Sequence, residues 1–138
     1  ARAFGADAIW ISMAMLSPSA LQAILEAAAE SRLEVLAEVQ TEAEVERALA
    51  AGLRLLIVQR RDWRTFAVDP TLPRRLRPSL PEGVRTLLAG DIRTAQEVAE
   101  AAALRFDAVI LEEALLSERD PVAWLAGLGF PGDRTPGP

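Results

Sequence analysis

The sequence predicts an α/β domain built on parallel strands. Five short, near-uniformly apolar runs recur along the chain, as strands covered on both faces require. Helical stretches that open on Ser or Thr caps lie between them, so the units alternate strand, helix, strand. Hydrophobic residues make up 51% of the 138, against a formal net charge of -5, which supplies one core and excludes a disordered chain.

Ala8-Ile9-Trp10-Ile11-Ser12 is the first strand. Ser17-Pro18-Ser19 opens a helix over about residues 19–31; either serine can cap it, and the fixed φ of Pro18 suits the first turn. Val35-Leu36-Ala37-Glu38-Val39 is the second strand. Thr41-Glu42-Ala43-Glu44 has the spacing of a capping box, in which Thr and the Glu three residues on each satisfy the other's amide. The helix behind it places Val45, Ala48 and Leu49 on one face and stops at Gly52. Leu55-Leu56-Ile57-Val58 is the third strand, followed by a polar stretch over 59–66. Residues 71–80, Arg-rich and broken by Pro73 and Pro78, have room for one short helix.

Arg85-Thr86-Leu87-Leu88-Ala89 is the fourth strand, and Thr94-Ala95-Gln96-Glu97 is a second capping box for a helix reaching about Ala103. Asp107-Ala108-Val109-Ile110-Leu111 is the fifth strand, and residues 121–128 form a last helix. One domain over 1–128 results, with a Pro- and Gly-rich tail over 129–138 expected to be flexible. A complete eight-unit barrel takes about 250 residues. Five units therefore leave two arrangements open, a partial barrel or a flavodoxin-like open sheet.

Composition narrows the chemistry. Cys, His and Tyr each number 0 and all 15 basic residues are Arg, which removes thiol, imidazole and lysine ammonium chemistry. Asp, Glu, Arg, Ser, Thr, Gln, Trp and backbone groups remain, and neither a cofactor nor a metal site is expected. Glu112 and Glu113 with Asp91 have no specific cation spacing and read as surface charge. With 20 acidic residues the chain lacks the basic footprint of a nucleic-acid binder, so Arg74, Arg75 and Arg77 read as a solvated face. No apolar run is long enough to cross a membrane and the start carries no signal pattern, so a cytoplasmic protein is expected. Trp10, Trp63 and Trp124 are too dispersed to form a stacking ladder.

Five segments, in order, resemble the indole-3-glycerol-phosphate synthase family: Phe4-Gly5-Ala6-Asp7-Ala8; the run from Glu34 to Glu42; Arg61-Asp62-Trp63-Arg64-Thr65-Phe66-Ala67-Val68-Asp69; Ile92-Arg93-Thr94; and Asp107-Ala108-Val109-Ile110-Leu111. The third is the most specific. The resemblance implies the last five units of a TIM barrel and an enzyme that closes a ring on an anionic anilino-deoxyribulose phosphate with loss of carbon dioxide and water. It places Glu38 at the position of a catalytic carboxylate on the family's fifth strand and Gln59 at that of a catalytic Asn. Arg61 matches a family Arg, and Arg60 replaces a small polar residue. Ala89-Gly90-Asp91 stands where the family has Glu-Ser-Gly, and Glu112-Glu113-Ala114 where it has Gly, a variable residue and a small one. The family's catalytic lysines fall outside this chain.

The resemblance thus implies a synthase-like protein without full activity by itself; the alternative is a non-catalytic α/β domain derived from that barrel, serving structure or protein interaction. Loops after the last two strands of such barrels bind phosphate, and Asp91 and Glu112 add negative charge there, so weak binding of a phosphorylated small molecule is expected. Arg60 is expected to lean toward Glu38 or Glu112, and Arg61 to pair structurally. Open sheet edges call for a homo-oligomer or an N-terminal segment as cover.

Overall fold

The computed structural model describes residues 1–130. Its sheet consists of β1 (Ala8–Ser12), β2 (Glu34–Val39), β3 (Leu55–Gln59), β4 (Arg85–Ala89) and β5 (Ala108–Val109). All neighbours are parallel, in the order β1-β2-β3-β4-β5. Strand order separates the two arrangements left open by the sequence. In a flavodoxin-like sheet the order reverses near the first strand, whereas here each strand lies beside the one before it, as in a barrel wall.

The helices are α1 (Pro18–Glu30), α2 (Glu42–Ala50), α3 (Leu72–Leu76), α4 (Ala95–Ala103), α5 (Glu113–Ser117) and α6 (Pro121–Gly127). Ser17, not Ser19, caps α1, its Oγ accepting from the Ala20 amide at 3.2 Å. At α4 the capping box is complete: Thr94 Oγ1 accepts from the Glu97 amide and Glu97 Oε2 from the Thr94 amide. At α2 it is half formed, because Glu44 Oε2 takes the Gln40 amide at 2.7 Å instead of that of Thr41. α2 terminates as expected, with Gly52 at φ 83.

Strand periodicity divides the chain between two faces. Ile11, Ala37, Val39, Leu56, Val58 and Leu88 point to the helices and form one core with Leu21, Val45, Ala48, Leu72, Leu76, Val98 and Ala101. Ile9 and Val109 pack against this helix-side cluster as well. The opposite face carries the row Ser12, Glu38, Ile57, Leu87 and Ala108, aligned by the parallel register.

The structure departs from expectation near its end. β5 is two residues long rather than five, since its pairing with β4 covers only Ala108 and Val109. Residues 113–117, given no element by the sequence reading, form α5, and Ala114 is buried in it. The tail from residue 131 onward lies outside the described residues. Among the described residues no helix is long and apolar enough to cross a membrane.

Thr94→Ala removes one partner of the complete capping box and is expected to lower stability by about 1 kcal/mol, read as a lower urea midpoint at unchanged slope.

Candidate functional site

The C-terminal ends of parallel strands gather polar side chains where the ladder gives way to loops. Glu38 lies one residue from the end of β2 and points away from the helices; it is 4% exposed. A carboxylate so placed needs hydrogen bonds, and three neutral donors supply them. Trp10 Nε1–H donates to Oε2 at 3.0 Å, while Ser12 Oγ–H and Trp63 Nε1–H donate to Oε1, each at 3.1 Å. Trp10 and Ser12 come from β1, where the pairing Ser12↔Glu38 fixes their height. Trp63 comes from the loop after β3.

None of the ion pairs among the described residues involves Glu38. Burial pushes its carboxyl above the ordinary 4.5; the three hydrogen bonds pull it down only in part, and the negative charge of Glu112 adds to the rise. A carboxyl in this state keeps its proton to higher pH than a solvated one. With two donors on Oε1 and one on Oε2, Oε2 is the oxygen with room for that proton.

Gln59, fully buried at the end of β3, shares this face. Its Oε1 accepts from the Arg61 amide at 3.0 Å, and its Nε2 donates to Glu112 Oε1 at 3.4 Å. Glu112 thus stands beside Gln59 and acts by its charge on Glu38. Ala89 ends β4, fully buried, and adds no functional group.

Arg60 does not join them. It faces the helix side, 5% exposed, and leans toward neither Glu38 nor Glu112. Its Nε donates to the Gly90 carbonyl at 2.9 Å, and its Nη2 to the Asp91 carbonyl at 2.8 Å and to Glu97 Oε1 at 2.9 Å. The cause is parity: one step beyond the inward Gln59, Arg60 emerges on the other side of the sheet. For Glu97, burial alone would raise the carboxyl, but the Arg93 amide, Thr94 and the Arg60 guanidinium outweigh it and hold the group below its ordinary value.

Arg61 pairs with Asp91 at 3.6 Å, and Arg93 Nε donates to the same carboxylate at 2.6 Å. The Asp91 charge is thus neutralised by two guanidiniums. Asp91, Glu112 and Glu113 do not converge; among the described residues no three acidic side chains form a metal-holding group.

Gly90 has a different use from the one its place in a phosphate loop suggests. At φ 98, an added Cβ would overlap Gln59 Oε1 and sit 2.8 Å from the Arg61 nitrogen and 2.9 Å from that of Arg60. The close approach that glycine permits is taken by β3 itself. Likewise the Arg93 and Thr94 amides at the start of α4 both donate to Glu97 Oε2, at 2.9 and 3.1 Å.

Trp10, Ser12 and Trp63 escaped the reading of the sequence as partners of Glu38. The two-residue spacing of Trp10 and Ser12 was a usable signal, since it sets both on one face of their strand. Trp63 had no such signal, because only the loop's path brings it back to β2.

A family model described as indole-3-glycerol phosphate synthase matches residues 1–128. The indole-3-glycerol phosphate synthase of Dehalococcoides mccartyi is 37% identical over 122 residues, which cover 88% of this chain and 47% of that protein. Indole-3-glycerol phosphate synthase 2 of Streptomyces coelicolor is 38% identical over 128 residues, covering 93% and 50%. This chain spans about half the length of these relatives. The crystal structure of 3-hexulose-6-phosphate synthase from Salmonella typhimurium superposes with a TM-score of 0.73 at 23% identity, over 90% of this chain and 60% of that one, which is a likeness of fold.

Two expectations follow from this geometry. Gly90→Ala meets both the contact with β3 and a positive φ, and should cost at least about 2 kcal/mol in chemical denaturation. The Glu38 carboxyl, raised in the folded state, favours folding below pH 4.5, and that contribution is lost as pH rises through its raised value. The stability of wild type relative to Glu38→Gln should therefore fall as pH increases above 4.5, measured as the difference in urea midpoints across the series.

Proposed function

The chain belongs to the indole-3-glycerol phosphate synthase family, and we propose that it supplies the carboxylate and amide part of that barrel's ring-closing site, without performing the full reaction by itself. The observation that carries this reading is Glu38: a buried, inward-facing carboxyl at a strand's C-terminal end, raised above its ordinary value by burial and bound by neutral donors only. Ring closure with loss of carbon dioxide and water requires protons to be moved at the reacting carbons, and Glu38 is the group here fit to exchange one. Gln59 orients Glu112 and the start of the following loop beside it.

What the site lacks sets the limit on activity. The chain has no lysine to serve as an ammonium acid, and Ala89 stands where the family resemblance puts a second carboxylate. Phosphate binding is weak in this reading, because Glu97 holds the α4 amides and Gln59 fills the space beside Gly90. β1 and β5 each lack a second strand neighbour among the described residues; a second copy or chain preceding β1 provides the cover. A non-catalytic interaction domain is the second reading, favoured by Ala89 and by the internal pairing of Arg60 and Arg61.

The test is an assay of the 138-residue chain with the anilino-deoxyribulose phosphate. No indole-3-glycerol phosphate should form; its formation, abolished in Glu38→Gln, overturns the inactive reading. In calorimetry with a sugar phosphate the wild type should bind weakly; an Asp91→Gly, Glu112→Gly double variant removes two negative charges and frees Arg61 and Arg93 from Asp91, and should bind more tightly.

A further inference from the structure

The three donors to Glu38 are not equivalent. Trp10 and Ser12 are held in β1 by the parallel register with β2. Trp63 is carried by a surface loop, closed by the Arg61↔Val68 bridge and by the Asp62 amide donating to the Ala67 carbonyl at 2.9 Å. Within it the Phe66 amide donates to the Asp62 carbonyl at 2.6 Å, and Phe66 adopts φ 59 although it is not glycine. Trp63 is 42% exposed while Glu38, to which its indole N–H donates, is 4% exposed, so this one side chain reaches from solvent to the buried carboxyl.

We propose that Trp63 is a positioning residue for Glu38: its indole N–H fixes Oε1 while the site is empty, its ring covers the carboxyl, and both yield to a ligand that brings a neutral N–H or O–H donor of its own. The donor is specified by the burial of Glu38. Oε1 gives up the indole at the cost of an unsatisfied buried bond unless the incoming group replaces it. A neutral donor matches the partner it replaces: Glu38 is served by Trp10, Ser12 and Trp63, and none of the ion pairs among the described residues involves it. The charged groups nearby fit this picture: Glu112 is the carboxylate acting on Glu38, Arg60 is turned to Glu97 and Arg61 to Asp91. This role rests on the reading of Glu38 as the proton-exchanging group; the readouts below report on the carboxyl itself, so a failed turnover assay leaves them standing.

Two variants separate the N–H from the ring. Trp63→Phe keeps a cover and removes the donor; Trp63→Ala removes both. Trp10, which donates to Oε2, reports the ionisation of Glu38 through its fluorescence, with Glu38→Gln as the blank. In Trp63→Phe the midpoint of that titration should move upward, because the ionised form loses a hydrogen bond. In Trp63→Ala, carbodiimide labelling of Glu38 read by peptide mass spectrometry should rise several-fold over wild type, while labelling of the distant Glu100 is unchanged. An unmoved midpoint in folded Trp63→Phe overturns the positioning role, and unchanged Glu38 labelling in folded Trp63→Ala overturns the cover. Should Trp63→Ala not fold, the Trp63→Phe midpoint alone decides.

Discussion

Alternation along parallel strands governs this molecule: each backbone step carries the side chain through the sheet to its other side. On the helix side, that alternation gathers Ile11, Val39, Val58 and Leu88 into one core. On the other it lines up Ser12, Glu38 and Ile57 across three strands. The step from Gln59 to Arg60 shows the consequence most plainly. An amide faces the site and the guanidinium next to it faces α4, with the whole thickness of the sheet between them.

The distribution of charge follows from that division. The helix-side guanidinium of Arg60 is satisfied by two carbonyls and Glu97, while Asp91 is shared by Arg61 and Arg93. With the neighbouring arginines engaged elsewhere, Glu38 is left to two indoles and a hydroxyl. A cation at that place would have held the carboxyl ionised; neutral donors in a buried setting instead let its proton affinity climb. The same residues that stabilise the loops therefore set the chemical state of the carboxyl.

The β3–β4 junction is where packing and site geometry meet. Gly90 lets the end of β4 lie against Gln59 and the following backbone, and this contact holds the amide in reach of both the Arg61 nitrogen and Glu112. A loop glycine that in a phosphate site would admit an anion here admits a neighbouring strand. The Glu97 carboxylate plays the matching part at α4, receiving the amides that an anion would otherwise take.

The sequence by itself determined the places of the five strands, the cap of α4, the parallel class of the sheet, and the place of Glu38 near the end of its strand. These are legible because apolar runs, cap spacing and the family's segments are local in the chain. Tertiary structure decided the rest. Strand order separated a barrel wall from a flavodoxin-like sheet, since both arise from the same βα pattern. Pairing cut β5 to two residues, because a strand's length depends on the neighbour it finds. Arg60 went to Glu97 rather than Glu38, and Trp63 reached Glu38 across 25 positions of sequence, since such contacts depend on which faces the folded backbone brings together.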